Sequence, residues 1–189
     1  MKLHILGASC SGVTTLGKAL ANYLNIPYFD SDAYFWEKTN PPFTTKRNPA
    51  VRNQMLETDS LKYDSWIIGG SLLKWDLAIA FDLIVFLYIP HQLRMERLRK
   101  RELERYGDII FTDPTRNQQY NDFLNWAEGY DNNTTQGRTL AAHENWLAQQ
   151  TCPVLEIRGD YSVEERVEMI LEKITSQKSA SDARSPIGL

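Results

Sequence analysis

The sequence predicts one α/β domain built on a parallel sheet with helices on both faces. Three observations carry that expectation. Short apolar runs alternate with stretches of helical periodicity. The early runs end at Gly7, Asp30 and Gly69, the kind of boundary expected of buried parallel strands. A glycine-rich loop joins the first run to the first helical stretch. The 189 residues suffice for one proper core and not for two comfortable ones.

Along the chain, residues 3–6 form a short apolar run ending at Gly7, and residues 13–24 place Leu16, Leu20 and Leu24 at helical spacing. Residues 26–30 read as a second strand, followed by the acidic Asp30-Ser31-Asp32. Residues 49–61 are helix-like, with Val51, Met55 and Leu56. Residues 66–69 make a third strand ending in Gly69-Gly70. Residues 83–89 are the most apolar run, and Pro90 stands at a helix start before the charged stretch 91–105. Residues 154–157 form the last strand and 162–174 the last helix, which Ser162 and Glu165 open with capping-box spacing. Residues 106–150 break the rhythm. Two helix-like stretches, 120–128 and 139–149, flank a polar linker at 131–137, so the segment reads as a lid inserted over the site. Residues 1–175 then form the domain, and 176–189 a loose tail with little to bury.

Composition excludes several function classes. Hydrophobic residues at 42% and charged residues at 24% are ordinary for a soluble globular protein. A net charge of −3 offers no bulk attraction to nucleic acid, so no such partner is expected. Apolar runs fall short of membrane-spanning length, and the N-terminus lacks the pattern of a signal peptide. The two cysteines, Cys10 and Cys152, do not make a disulfide framework, and a reducing cytoplasm is the expected home. His4, His91 and His143 have no metal-ligand spacing.

In a parallel α/β sheet, ligands bind at the carboxyl ends of the strands. Those ends are Gly7, Asp30 to Asp32, Gly69 to Ser71 and the Pro90 region. The loop Gly7-Ala8-Ser9-Cys10-Ser11-Gly12-Val13-Thr14-Thr15 leaves a strand and opens a helix, the context that a phosphate-binding loop needs. Its glycines let the backbone curl so that successive N–H groups point at phosphate oxygens, and the helix N-terminus adds a positive dipole end. Gly7, Ser9, Cys10, Ser11, Gly12, Val13, Thr14 and Thr15 are the candidate phosphate contacts, with Thr14 at the position whose hydroxyl holds Mg²⁺. The pattern G-x-x-x-x-G-K-[ST] is met except at its lysine, where Val13 stands. The competing interpretation is a strand-to-helix turn without a ligand.

On this loop the chain resembles the P-loop small-molecule kinases, the adenylate, shikimate and gluconate kinases. It looks closest to a branch of bacterial adenylate-kinase-like ATPases with a degenerate loop, on Gly-Ala-Ser-Cys-Ser-Gly-Val-Thr-Thr, Phe29-Asp30-Ser31-Asp32 and Pro41-Pro42-Phe43-Thr44-Thr45-Lys46-Arg47. The resemblance implies a three-layer P-loop fold with a five-stranded parallel sheet of order 2-3-1-4-5 and a lid after strand four. It also implies ATP and Mg²⁺ as cofactors. Likeness to shikimate-type kinases implies that Asp32 contacts an acceptor hydroxyl or helps hold Mg²⁺ through water. Asp30 shares that reading, and the alternative for this pair is a helix cap before Ala33. Gly69, Gly70 and Ser71 are candidates for acceptor binding or for a tight turn.

Arg94, Arg97, Arg101 and Arg105 step by three, four and four residues and so form one stripe at about 100° per residue. Such a stripe is a solvated helix face or a source of phosphate-binding forks. Arg97 and Arg101 are the favoured catalytic cations, and Arg138 resembles the arginine beyond the lid in nucleotide kinases. Lys18 is turned about 140° from Val13 along the helix, so Arg97, Arg101 or Lys74 has to supply the missing lysine charge. Three functions follow from these residues. The leading one is an ATP-dependent phosphotransferase acting on a small-molecule hydroxyl or a nucleoside monophosphate. The second is a nucleotide or phosphate sensor that lost catalysis with the lysine, and the third is a hydrolase passing phosphate to water.

Overall fold

A computed structural model of the chain describes residues 1–40 and 42–182. Five strands form one sheet: β1 (Lys2–Gly7), β2 (Tyr28–Asp30), β3 (Trp66–Gly69), β4 (Leu83–Tyr88) and β5 (Val154–Arg158). Their order is β2-β3-β1-β4-β5 and every pairing is parallel, as the resemblance implied. Register brings Ile5 beside Gly69 and Gly7 beside Leu87, so the loop after β1 opens between the ends of β3 and β4.

Strand periodicity explains the layers. Leu3 and Ile5 of β1 and Leu83, Val85 and Leu87 of β4 face one layer. There they pack with Leu16 and Leu20 of α1 (Val13–Leu24) and with Ile170 and Ile174 of α8 (Val163–Asp182). Leu6, Ile84 and Phe86 face the other layer, against Leu147 of α7 (Leu140–Leu147). Both faces are covered, so β4 reads as an unbroken apolar run instead of alternating. Each such buried side chain stabilises the fold by about 1.5–3 kcal/mol.

The remaining helices have local causes. In α2 (Ser31–Phe35) the cap is Asp30, whose carboxylate accepts from the Asp32 N–H at 3.0 Å; the cap expected before Ala33 is therefore Asp30 and not Asp32. Asn48 caps α3 (Pro49–Ser60), Asp113 caps α6 (Pro114–Glu128) and Thr139 caps α7. The expected box at α8 forms reciprocally: Ser162 N–H donates to Glu165 at 2.7 Å, and Glu165 N–H to Ser162 Oγ at 3.1 Å. This last helix continues to Asp182 and does not stop at Ile174. Residues 183–189 of the expected tail, and Pro41, lie outside the described residues.

Between β4 and β5 run α4 (His91–Tyr106), α5 (Ile109–Thr112), α6 and α7. Met95 and Leu98 of α4 pack with Ala127 of α6, and Cys10 of the loop joins the same cluster with Phe123, Leu124 and Trp126. The inserted helices thus rest directly on the loop. Among the described residues no helix is long and apolar enough to cross a membrane.

Candidate active site

The loop after β1 is shaped to receive an anion. Cys10 has φ 64 and Gly12 φ 95, two left-handed turns that curl the backbone around successive N–H groups. A Cβ at Gly7 would collide with Ser11 and the Leu87 carbonyl, so the curl requires glycine there. Gly12 provides no side-chain cap for α1, which leaves the first-turn N–H groups open at the carboxyl edge of the sheet. Ser11 is fully buried and its Oγ has no hydrogen-bond partner. Thr14 and Thr15 are exposed at the loop mouth, whereas Val13 is 9% exposed and belongs to the core. These features fit a phosphate group. Burial raises the Cys10 thiol pKa, against the pull of Arg101, so the side chain stays protonated and packs.

Acidic groups face this loop. Thr14 Oγ1 donates to Asp30 at 3.2 Å, which ties the expected metal-holding hydroxyl to the end of β2. Asp32 is exposed along the cleft yet crowded by protein. That crowding raises its carboxylate pKa; Arg138 opposes the shift and Asp30 adds to it. Among the described residues no group donates a hydrogen bond to this carboxylate. No cluster of three or more His, Cys, Asp or Glu that could cage a metal occurs among the described residues. Mg²⁺ is commonly held by one or two carboxylates plus phosphate oxygens, and Thr14 with Asp30 fits that sparser donor set.

The arginine stripe divides its work. Arg94, only 1% exposed, is spent inside the protein: it donates to Asp131 at 2.6 Å and to the Ala127 carbonyl at 3.0 Å, and sits over the Tyr130 ring. Arg97 pairs with Asp160 at 2.6 Å. Arg101 pairs with the buried Glu102 at 3.0 Å and lies over Phe123. Arg105 lies 5.3 Å from the ring of Phe43. Arg101 and Arg105 are electrostatic neighbours of both Cys10 and Asp32, so these two face the cleft between the loop and β2. Arg138 is half-buried over the Trp126 ring, with Asp32 its leading charged neighbour.

Gly70, at φ 112, lets the backbone pass against Ser31. Ser71 Oγ meets His143 Nε2 at 3.1 Å, and His143 Nδ1 meets the Tyr130 hydroxyl at 2.8 Å. Burial, with Arg138 nearby, depresses the His143 pKa to about 3, so the ring is neutral. The end of β3 is thereby joined to the inserted segment through Tyr130 and His143. His143, which the sequence singled out only for its lack of metal-ligand spacing, is fully buried.

The side chains around the 31–36 segment are satisfied locally. Tyr34 is buried and donates to Asp59 at 3.0 Å, and Trp36 packs between Phe35 and Phe43. Arg47 turns back onto Glu37 and the carbonyls of Ala33 and Tyr34. Lys74 is exposed. Two arginines went unnoticed in the sequence. Arg52 is buried with its guanidinium over the Trp75 and Phe35 rings. Arg166 of α8 is buried behind the loop that follows β1. The signal for Arg166 was its place on the apolar stripe of the last helix, four residues before Ile170. A shallow depression lined by Val51, Gln54, Met55, Thr58 and Asp59 on α3 shares no residue with this site.

A parallel 2-3-1-4-5 sheet, a phosphate loop after β1 and a helical insertion after β4 define the P-loop small-molecule kinases, and this chain has that fold. No protein-family model matches it. The chain is 43% identical over 176 residues to the uncharacterised protein YqaC of Bacillus subtilis, covering 92% of this chain and 97% of that one, and it belongs to that protein's family. A shikimate kinase from Aquifex aeolicus is 26% identical over 114 residues, spanning 52% of this chain and 66% of its own. Among solved structures, deoxyadenosine kinase from M. mycoides with bound dATP superposes with a TM-score of 0.57 at 15% identity, over 93% of this chain and 100% of that one. A gluconokinase from Sinorhizobium meliloti gives 0.55 at 15% identity, over 97% of each.

Proposed function

We propose that the chain is an ATP-dependent phosphotransferase acting on a small-molecule hydroxyl or a nucleoside monophosphate. The observation that carries this reading is the convergence of Thr14, Asp30 and Asp32 at the open N-terminus of α1, with Arg138 opposite. The loop amides of residues 9–15 bind the β- and γ-phosphates. Thr14, with Asp30 behind it, would hold Mg²⁺, which would supply positive charge against the phosphates. The acceptor lies against Gly69, Gly70 and Ser71. Its hydroxyl oxygen forms the new bond to the γ-phosphorus as the bond to the bridging oxygen breaks, and Asp32 takes the hydroxyl proton. The raised pKa of Asp32 suits a late proton acceptor. Arg101 and Arg138 neutralise charge on the transferred group, whereas Arg97, the other favoured cation, is paired with Asp160 behind the loop. Residues 106–150 act as the lid. The free cysteines fit the reducing cytoplasm where ATP is available.

The second reading is a nucleotide-binding module without turnover, and Val13 favours it, because the position of the usual lysine is packed in the core. Calorimetry with ATP and Mg²⁺ followed by an acceptor screen separates the two: phosphate transfer to any hydroxyl supports the kinase, and binding without transfer supports the module. Gly12→Asp brings a Cβ to a backbone at φ 95 and abolishes ATP binding. A folded Gly12→Asp variant with wild-type affinity rules the loop out as the phosphate site.

A further inference from the structure

A second cation, outside the α4 stripe, lies against the loop after β1. Arg166 is 4% exposed. Its Nη1 donates to the Ser11 carbonyl at 3.0 Å and its Nη2 to the Gly159 carbonyl at 3.5 Å, while its Nε is buried without a partner. Among the described residues no carboxylate pairs with it. Two carboxylates lie near it without pairing: Asp160 is occupied by Arg97, and Glu165 accepts from the Ser162 N–H in the capping box. A buried guanidinium without a counter-ion is unfavourable unless another group compensates it.

Peptide geometry says where that compensation comes from. In a trans peptide the N–H points opposite to the C=O. Arg166 holds the carbonyl of the Ser11–Gly12 peptide on the inner side of the loop, so the Gly12 N–H is turned away from Arg166. Gly12 has no Cβ to separate the two, and one placed there would lie 2.9 Å from Arg166 Nη1. A guanidinium on the carbonyl also polarises the peptide and strengthens its N–H as a donor.

We propose that Arg166 takes over the charge of the absent loop lysine, acting from behind the loop as a positioning residue. It fixes the Ser11–Gly12 peptide with its N–H toward the bound phosphate, and a phosphate in the loop is the counter-ion that the buried guanidinium lacks. The inference rests on the reading of residues 7–15 as a phosphate site.

The test compares wild type with Arg166→Lys, which keeps the charge, and Arg166→Gln, which keeps a donor and loses the charge. Calorimetry measures ATP with Mg²⁺, inorganic triphosphate, and adenosine as a control without phosphate. Amide exchange of residues 8–15 is followed in the ligand-free proteins. Arg166→Gln binds ATP and triphosphate roughly tenfold or more weakly, the scale of a lost hydrogen bond to a charged group. Its adenosine binding is unchanged and its loop amides exchange faster, and Arg166→Lys recovers part of both effects. Arg166→Gln matching wild type in triphosphate affinity overturns the proposal. If wild type binds neither ATP nor triphosphate, the kinase reading fails, and loop exchange still decides on Arg166: unchanged exchange in Arg166→Gln overturns it. Should Arg166→Gln not fold, Arg166→Lys decides, and loop exchange and triphosphate affinity both indifferent to that change of head group overturn the fixed-peptide geometry.

Discussion

The hydroxyl of Thr14 donates to Asp30 across 3.2 Å, so the first turn of α1 and the end of β2 act as one unit at the cleft. Asp30 is doubly engaged, because its other carboxylate oxygen caps α2 at the Asp32 N–H. Among the described residues no hydrogen-bond donor reaches the Asp32 carboxylate, which faces the cleft.

That division predicts different phenotypes for the two aspartates. Asp30→Ala loses a cap and a Thr14 partner, and costs about 1 kcal/mol of stability as well as Mg²⁺-dependent ATP affinity. Asp32→Asn leaves the cap in place, so stability and ATP affinity hold while turnover falls by about 10²–10⁴. Urea melts and steady-state kinetics on the pair check this. Equal stability losses would show that the cap is not divided as described.

Much of this arrangement was legible in the sequence and some was not. The loop, the strand ends and the capping box depend on residues adjacent in the chain, where local chemistry fixes the outcome. Asp30 against Asp32 could not be resolved, because the choice of cap depends on where β2 ends within a three-residue strand. The stripe on α4 was visible as a periodicity, yet its partners come from distant segments: Asp131 for Arg94 and Asp160 for Arg97. Periodicity groups side chains on one face and says nothing of what that face meets. Arg166 and His143 were missed for the same reason, since each acts on a partner far away in sequence.

Acid sensitivity follows from two buried histidines. Burial depresses His4 to about 4, partly offset by its bond to the Gly70 carbonyl at 2.9 Å, and His143 to about 3. Each has a folded pKa below the unfolded value of about 6.5, so the unfolded chain binds protons that the native state does not. Their full contribution is present above pH 6.5 and is lost as pH falls toward the folded values, at about 1.4 kcal/mol per pH unit for each histidine. Urea melts between pH 7.5 and pH 4.5 should show midpoints falling below about pH 6.5. His143→Gln should flatten the slope. A midpoint independent of pH in this window would mean that neither ring is buried neutral.

The inserted helices should respond to nucleotide. Residues 106–150 rest on the loop through Cys10, Phe123, Leu124 and Trp126, while Arg94 and Asp131 hold the foot of the segment. We expect hydrogen exchange across residues 106–138 to slow on adding ATP with Mg²⁺, with the sheet unchanged. Equal protection in both states would describe a fixed subdomain instead of a lid.

The last prediction separates the arginines by side. Arg101 faces the cleft, where it acts on Asp32 and Cys10, whereas Arg97 is held by Asp160 near the back of the loop beside Arg166. In the proposed reaction, charge that develops on the transferred phosphoryl group is felt at the cleft. Arg101→Ala should therefore lower turnover by about 10³ or more while changing ATP affinity less than about tenfold. Arg97→Ala should do less to turnover, because its charge is already spent on a carboxylate at 2.6 Å. Val13→Lys restores the usual cation and should return part of the Arg101→Ala turnover. It also costs about 1–3 kcal/mol of stability, since Val13 is packed against Leu16 and the β-sheet core. Single-turnover kinetics beside calorimetry distinguish the effects. If Arg101→Ala turns over like wild type, the α4 stripe is a packing face, and the charge at the phosphates comes from Arg138 and Arg166 alone.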